Sequence, residues 1–218
     1  MNECEYSAEQ TYDKYREFGY DIVTFSNHNQ IIPHPAGDSL HMNLYEHGYN
    51  LLKYHKHVFG PKEGVWRFDH LLPILASQRQ YQIDRLSKSC DILQFNHPLR
   101  TPLTSDDMLR KLEGYTIMEL DSGRSVENEY WDTALSAGHY SFGLAGDDLH
   151  DPTKSSKIAI RCSFLSLECI SAEEILRTLS RGCYYSMRIP DFGAGDWQEK
   201  IEGNSHIPRI TNIGVAND

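Results

Sequence analysis

Short apolar runs bounded by polar turns alternate with amphipathic segments along most of the chain. Residues 21–26 (Asp-Ile-Val-Thr-Phe-Ser), 91–95 (Asp-Ile-Leu-Gln-Phe), 115–120, 140–145, 157–163 and 183–187 have the length and composition of strands. Residues 40–46 alternate apolar and polar positions, as a strand with one buried face does. Between these runs lie helix signals. Ser7-Ala-Glu-Gln10 is a capping-box pattern that opens a helix reaching Phe18 and stopped by Gly19. A polar amphipathic helix is predicted over residues 72–88, and Thr104-Ser-Asp-Asp opens a short one. Residues 127–137 form a helix ended by Gly138, and Ser171-Ala-Glu-Glu174 caps another that runs to Gly182. Residues 48–69 show no clear period and read as an insertion with some helix. Beyond Pro190 the pattern dissolves into Gly/Asp/Asn-rich sequence, with residues 207–215 as one further candidate strand.

Repeated β-α alternation with short turns predicts a parallel sheet covered by helices and closed, or nearly closed, into a barrel. The 218 residues suffice for one sizeable core. The expected division is a single α/β domain over residues 1–190 and a C-terminal tail over 191–218.

Composition narrows the function. A net charge of −10 argues against a nucleic-acid surface, which carries a basic stripe. A small anionic substrate stays compatible, because a bound cation reverses the local field. No stretch is long and apolar enough to span a membrane, and no signal-peptide pattern is visible. Cys4, Cys90, Cys162, Cys169 and Cys183 are scattered and include no Cys-x-x-Cys pair. They favour a reducing compartment, so a cytoplasmic location is expected. Phosphate-binding glycine loops and serine-hydrolase elbows are absent from the sequence.

The candidate chemistry sits where apolar runs end. Phe142-Gly-Leu-Ala-Gly-Asp-Asp-Leu-His150 is a strand that passes a glycine turn into an Asp-x-His pair, and Asp148 and His150 can converge on one divalent metal. Asp147 is a candidate to orient an imidazole. Residues 21–28 and 91–97 likewise end in His28 and His97. Three strands delivering such ligands at one end describe the mouth of an α/β enzyme. His28 would look the same as a structural histidine bonded to its own loop. His97 is followed by Pro98, which restricts its backbone. Arg100 could grip a phosphoryl oxygen bidentately or stand as a solvated loop arginine. Glu46 ends its alternating segment and could bridge two metals, or be an exposed carboxylate beside His47. Glu119 ends its own strand and reads as an outer partner or a structural carboxylate. His55 and His57 sit in a polar stretch and read as solvated. His34, His41, His139 and His206 lack a strand-end position, and His70 is ambiguous.

As an ordered set these pieces resemble the PHP (polymerase and histidinol phosphatase) family of metal-dependent phosphoesterases. The likeness rests on Gly19-Tyr-Asp21, the following strand with Asn27-His28-Asn29, Asn96-His97-Pro98 with Arg100, and Ile117-Met-Glu119-Leu120. It continues through Gly146-Asp-Asp148-Leu-His150, the helix ending Ser180-Arg-Gly182 and the strand from Cys183, covering roughly residues 5–190. The resemblance implies a distorted (β/α)7 TIM-like barrel holding two or three divalent ions, Zn, Mn or Fe, at the strand ends. It implies His28, Glu46, His97, Asp148 and His150 as metal ligands and Arg100 as a phosphate contact. His97 and His150 become candidates for proton transfer to the leaving group.

Two departures stand out. The family's opening His-x-His strand has no counterpart before the first helix, so the first barrel strand is expected to be missing. Asn27 also stands where the family has Asp. The chain is therefore either part of a longer enzyme or a degenerate member, and the otherwise complete ligand set favours the first. The expected function is hydrolysis of a small phosphate ester by metal-activated water. The alternatives are a non-catalytic binding protein with the same pocket, or a metal-dependent amide, ester or carbamate hydrolase.

Overall fold

The structure, a computed structural model, describes residues 6–49, 51–123, 125–189 and 196–214. Cys4 and Val215 lie outside the described residues. Helix α1 (Ala8–Glu17) begins as its sequence dictates: Ser7 Oγ accepts from Gln10 N at 3.2 Å while the Gln10 side chain accepts from Ser7 N at 2.9 Å. Residues 21–26, expected as a strand, form no ladder among the described residues. The segment meets the sheet just beyond its end, through an isolated bridge between His28 and Glu46 of β1. The segment has strand composition, but no neighbouring strand pairs with its backbone among the described residues.

Strands β1 (Leu44–His47) and β2 (Lys56–Phe59) pair antiparallel, and β2 pairs antiparallel with β3 (Ile92–Phe95). Parallel pairing begins only at β3 with β4 (Ile117–Asp121) and β4 with β5 (Phe142–Ala145). The sheet order is β1-β2-β3-β4-β5. The expected all-parallel sheet is therefore mixed. Residues 48–69, read as a partly helical insertion, supply β2. The short connection from β1 turns the chain straight back, which only antiparallel neighbours allow. The parallel steps use crossovers carrying α3 (Asp106–Leu109) and α4 (Asn128–Ser136).

Strand β6 (Arg161–Leu165) starts later than its apolar run suggested and pairs antiparallel with β7 (Tyr184–Arg188) in a separate two-stranded sheet. Among the described residues no backbone ladder closes the two sheets into a barrel. Residues 207–214 form no strand. Instead the tail carries an unexpected helix, α6 (Trp197–Ser205), capped by Asp196 Oδ1, which accepts from Gln198 N and Glu199 N.

Helices cover both faces of the five-stranded sheet, which explains the continuous apolar runs of β3 and β4. Ile83 and Leu86 of α2 (Ala76–Ser87) pack with Leu93, Phe95 and Met118. On the other face, Ile175 and Leu179 of α5 (Ala172–Arg181) pack with Leu44, Phe59, Ile92 and Ile117. Tyr15 and Phe18 of α1 form a third cluster with Val23 and Ile158, and Phe18 stacks on Trp197 with ring centres 5.7 Å apart. No described helix is long and apolar enough to cross a membrane.

Candidate metal centre

Two backbone hydrogen bonds bring His28 beside β1. Glu46 N donates to Asn27 O at 3.0 Å, and Asn29 N donates to Glu46 O at 2.8 Å. The turn from β1 into β2 then returns His55 to the same place. The Glu46 carboxylate becomes the hub: Oε2 lies 3.4 Å from His28 Nε2, and Oε1 lies 3.1 Å from His55 Nδ1 and 3.5 Å from His97 Nε2. The nitrogens of His55 and His97 are 3.3 Å apart. Donor atoms of His28, Glu46 and His55 all fall within 4.8 Å of one another. Two ligands of a tetrahedral ion with bonds of about 2.1 Å stand roughly 3.4 Å apart, so this donor set has the spacing a divalent transition metal needs. It also has the chemistry, one carboxylate among imidazoles.

Electrostatics agree. Burial pushes the Glu46 carboxyl up, but the imidazoles of His55 and His97 outweigh it and hold it well below the usual range. Asn96 Nδ2 donates to Glu46 Oε1 at 3.1 Å, and Asn96 Oδ1 accepts from Gln94 Nε2 and from His57 N. Gln94 Nε2 also donates to His57 Nδ1 at 3.1 Å, so the His57 proton sits on Nε2 and is shared with Ser26 Oγ at 2.9 Å. Burial pushes His57 down to about 4, partly opposed by the Glu46 charge, and keeps it neutral near pH 7.

His97 follows β3 with φ 27°, a left-handed conformation that costs a non-glycine residue energy. Its N–H donates to Glu119 Oε2 at 2.8 Å, which makes Glu119 a backbone brace. Burial first, and the Asp148 charge second, push the Glu119 carboxyl well above its usual range. Asn29 and Asp148 are also left-handed, at φ 50° and 46°, so strained non-glycine residues gather around this site.

Of the residues singled out from sequence, His28, Glu46 and His97 meet at this hub. Asp148 and His150 line the same cleft, whose volume is about 1250 Å³, outside the group of donor atoms within 4.8 Å that His28, Glu46 and His55 make. Asp148 Oδ2 is paired with Arg100 Nη1 at 2.6 Å, and His150 Nδ1 donates to the Asp148 carbonyl at 2.7 Å. Asp147, a candidate to orient an imidazole, instead holds backbone and a tyrosine. It accepts from Tyr15 OH at 2.7 Å and from the backbone N–H groups of Ile160 and Arg161, anchoring the entry to β6 on α1.

Of His55 and His57, both read from sequence as solvated, His55 is buried at the hub and His57 is half-buried beside it. Residues 55–57 look polar, yet His55 leads straight into β2 and His57 lies within it, at alternate positions that share a face. The His-x-His spacing was the available signal.

No protein-family model matches this sequence, and no curated protein matches it. Among solved structures, the chain resembles a two-domain protein containing a predicted PHP-like metal-dependent phosphoesterase from Bacteroides vulgatus ATCC 8482. The TM-score is 0.56 at 12% identity, and the match covers 82% of this chain. It spans 59% of that protein's length. At this identity the likeness establishes a shared fold alone, a mixed α/β scaffold; the histidine-carboxylate cluster with the spacing to hold metal is read from this chain's own residues.

Proposed function

We propose that this chain is a metal-dependent hydrolase that cleaves a phosphate ester of a small molecule at the cluster around Glu46. The observation that carries the reading is one buried carboxylate within 3.1–3.5 Å of three imidazoles, those of His28, His55 and His97. These four residues would hold the metal, with Asp148 and His150 as further ligands at the cleft wall. Zinc, manganese and iron all suit such donors. In this reading residues 1–190 make up a PHP-type barrel domain, with 191–218 as its tail.

A divalent ion bound there would supply Lewis acidity and a water acidified toward neutral pH. The chain's own residues do the rest. Glu46, held ionised by its neighbours, keeps negative charge at the hub, and Asn96 fixes its orientation. Arg100 has five N–H donors, so it can engage a phosphoryl oxygen while still paired with Asp148. His150, when it does not ligate the ion, would pass a proton from Nε2 to the leaving-group oxygen, its ring steered by the bond from Nδ1 to the Asp148 carbonyl. Glu46, His55 and His97 are buried, which limits the contact of the hub with bulk water.

The Arg100–Asp148 pair also supports a second reading, because a tightly paired arginine suits a neutral ester or amide substrate as well. Turnover of p-nitrophenyl phosphate and p-nitrophenyl acetate by protein loaded with Mn²⁺ or Zn²⁺ separates the two. Phosphate release that chelation abolishes is expected. Acetate release without phosphate release would overturn the phosphoesterase assignment and leave the hydrolase.

A further inference from the structure

The loop between Asn29 and β1 holds a second group of metal-type donors, lying in sequence between His28 and Glu46 and sharing no residue with their cluster. His34, Asp38 and His41 each offer one nitrogen or carboxylate oxygen, and the three atoms lie within 4.8 Å of one another. Local sequence builds this arrangement. Pro33 and Pro35 flank His34 and restrict its backbone. A turn follows in which Asp38 N donates to Pro35 O at 3.2 Å, with Gly37 at φ 82° in the position where a tight turn needs a left-handed residue. Asp38 Oδ1 accepts from Leu40 N at 3.0 Å, which fixes the carboxylate and leaves Oδ2 facing His41.

Two features separate this group from an ordinary polar loop. The side chains of Asp38 and His41 are only 3% and 2% exposed, yet Asp38 Oδ2 and His41 Nδ1 make no hydrogen bond among the described residues. Buried polar atoms are normally satisfied, so such a pair calls for a partner. Their separation is 3.7 Å, too long for a hydrogen bond and close to the roughly 3.4 Å between two ligands on a tetrahedral ion. The rings of His34 and His41 lie with centroids 3.8 Å apart, and the exposed His34 gives an ion a route from solvent.

The geometry points to a separate divalent-cation site, best fitted to zinc, in which His34, Asp38 and His41 are the protein ligands and water takes the fourth position. An ion there would pin the loop that joins His28 to Glu46, so it would steady the metal centre without belonging to it. The inference does not depend on the hydrolytic reading.

Zinc titration by calorimetry tests it. In Glu46→Gln/His55→Ala protein, with the main cluster dismantled, a single zinc equivalent should still bind. Adding His34→Ala should remove that equivalent or weaken it by more than the roughly tenfold that even an outer-sphere change costs. His34 is exposed, so its replacement leaves the fold intact, and circular dichroism checks this. In the otherwise unmodified protein His34→Ala should lower zinc stoichiometry by one, with the remaining equivalents unaltered. Unchanged stoichiometry and affinity on His34→Ala would overturn the site. So would a folded Glu46→Gln/His55→Ala protein that binds no zinc.

Discussion

Glu46 Oε1 lies 3.1 Å from His55 Nδ1, a contact made by the turn between β1 and β2. It places the centre of the site on an antiparallel pair rather than at the ends of three parallel strands. His55 should therefore matter as much as His28 or His97. His55→Ala is expected to lower Mn²⁺ or Zn²⁺ affinity at the hub by more than about 100-fold, the upper range for losing an outer-shell partner. Equilibrium dialysis with metal analysis reads this directly, and parent-like retention would remove His55 from the ligand set.

Arg100 sits 2.6 Å from Asp148 at the side of the cleft. If it recognises a phosphoryl group, Arg100→Ala should cut kcat/KM for p-nitrophenyl phosphate by about 10–100-fold, the equivalent of losing a charge-assisted hydrogen bond of about 1.5–3 kcal/mol. Hydrolysis of p-nitrophenyl acetate should change little. Equal losses on both substrates would mean that Arg100 acts by holding Asp148.

Stability should carry the signature of His57. Burial lowers its folded pKa to about 4 from an ordinary 6.5. Between those values the unfolded chain takes up a proton that the folded chain refuses, so this group's contribution falls as pH drops from about 6.5 toward 4. The full effect is on the order of 3 kcal/mol. Glu119 acts in the opposite sense, since its raised pKa favours the fold at low pH and loses that contribution as pH rises. Comparing urea midpoints of the chelated parent and His57→Gln from pH 7 to 5 isolates the histidine. The parent should lose more stability over this range, and parallel curves would contradict the assignment.

Gly182 ends α5 at φ 68°, and a β-carbon there would run into the Phe142 ring on β5. Gly182→Ala should destabilise by more than the roughly 1–2 kcal/mol that the left-handed backbone alone costs alanine. A smaller shift in the urea midpoint would mean that Phe142 can move aside.

Local signals account for what was legible in the chain. The caps at Ser7 and Ser171 and the apolar runs of β3, β4 and β5 depend on neighbouring residues, and each appears where its pattern lies. Strand β2 was hidden because its polar residues are buried. Lys56 is fully buried, with Nζ 3.0 Å from Gln82 Oε1 and 2.7 Å from the centre of the Tyr54 ring, so hydrophobic periodicity misses it. With β2 went the role of His55. Residues 21–26 failed the other way, having strand composition but no pairing partner along their length among the described residues. Helix α6 did leave a sign, since Asp196 and Glu199 have capping-box spacing. His28 and Glu46 had the right residue types, but the bridge that joins them is tertiary and no local pattern encodes it.

The direct test of the account is the turnover of p-nitrophenyl phosphate by metal-loaded Glu46→Gln protein beside the parent. The substitution keeps size and hydrogen bonding but removes the charge that His28, His55 and His97 surround. A loss exceeding about 100-fold is predicted, more than the removal of an outer-sphere partner would give. Parent-level turnover in a folded Glu46→Gln protein would contradict the claim that this carboxylate organises the reaction.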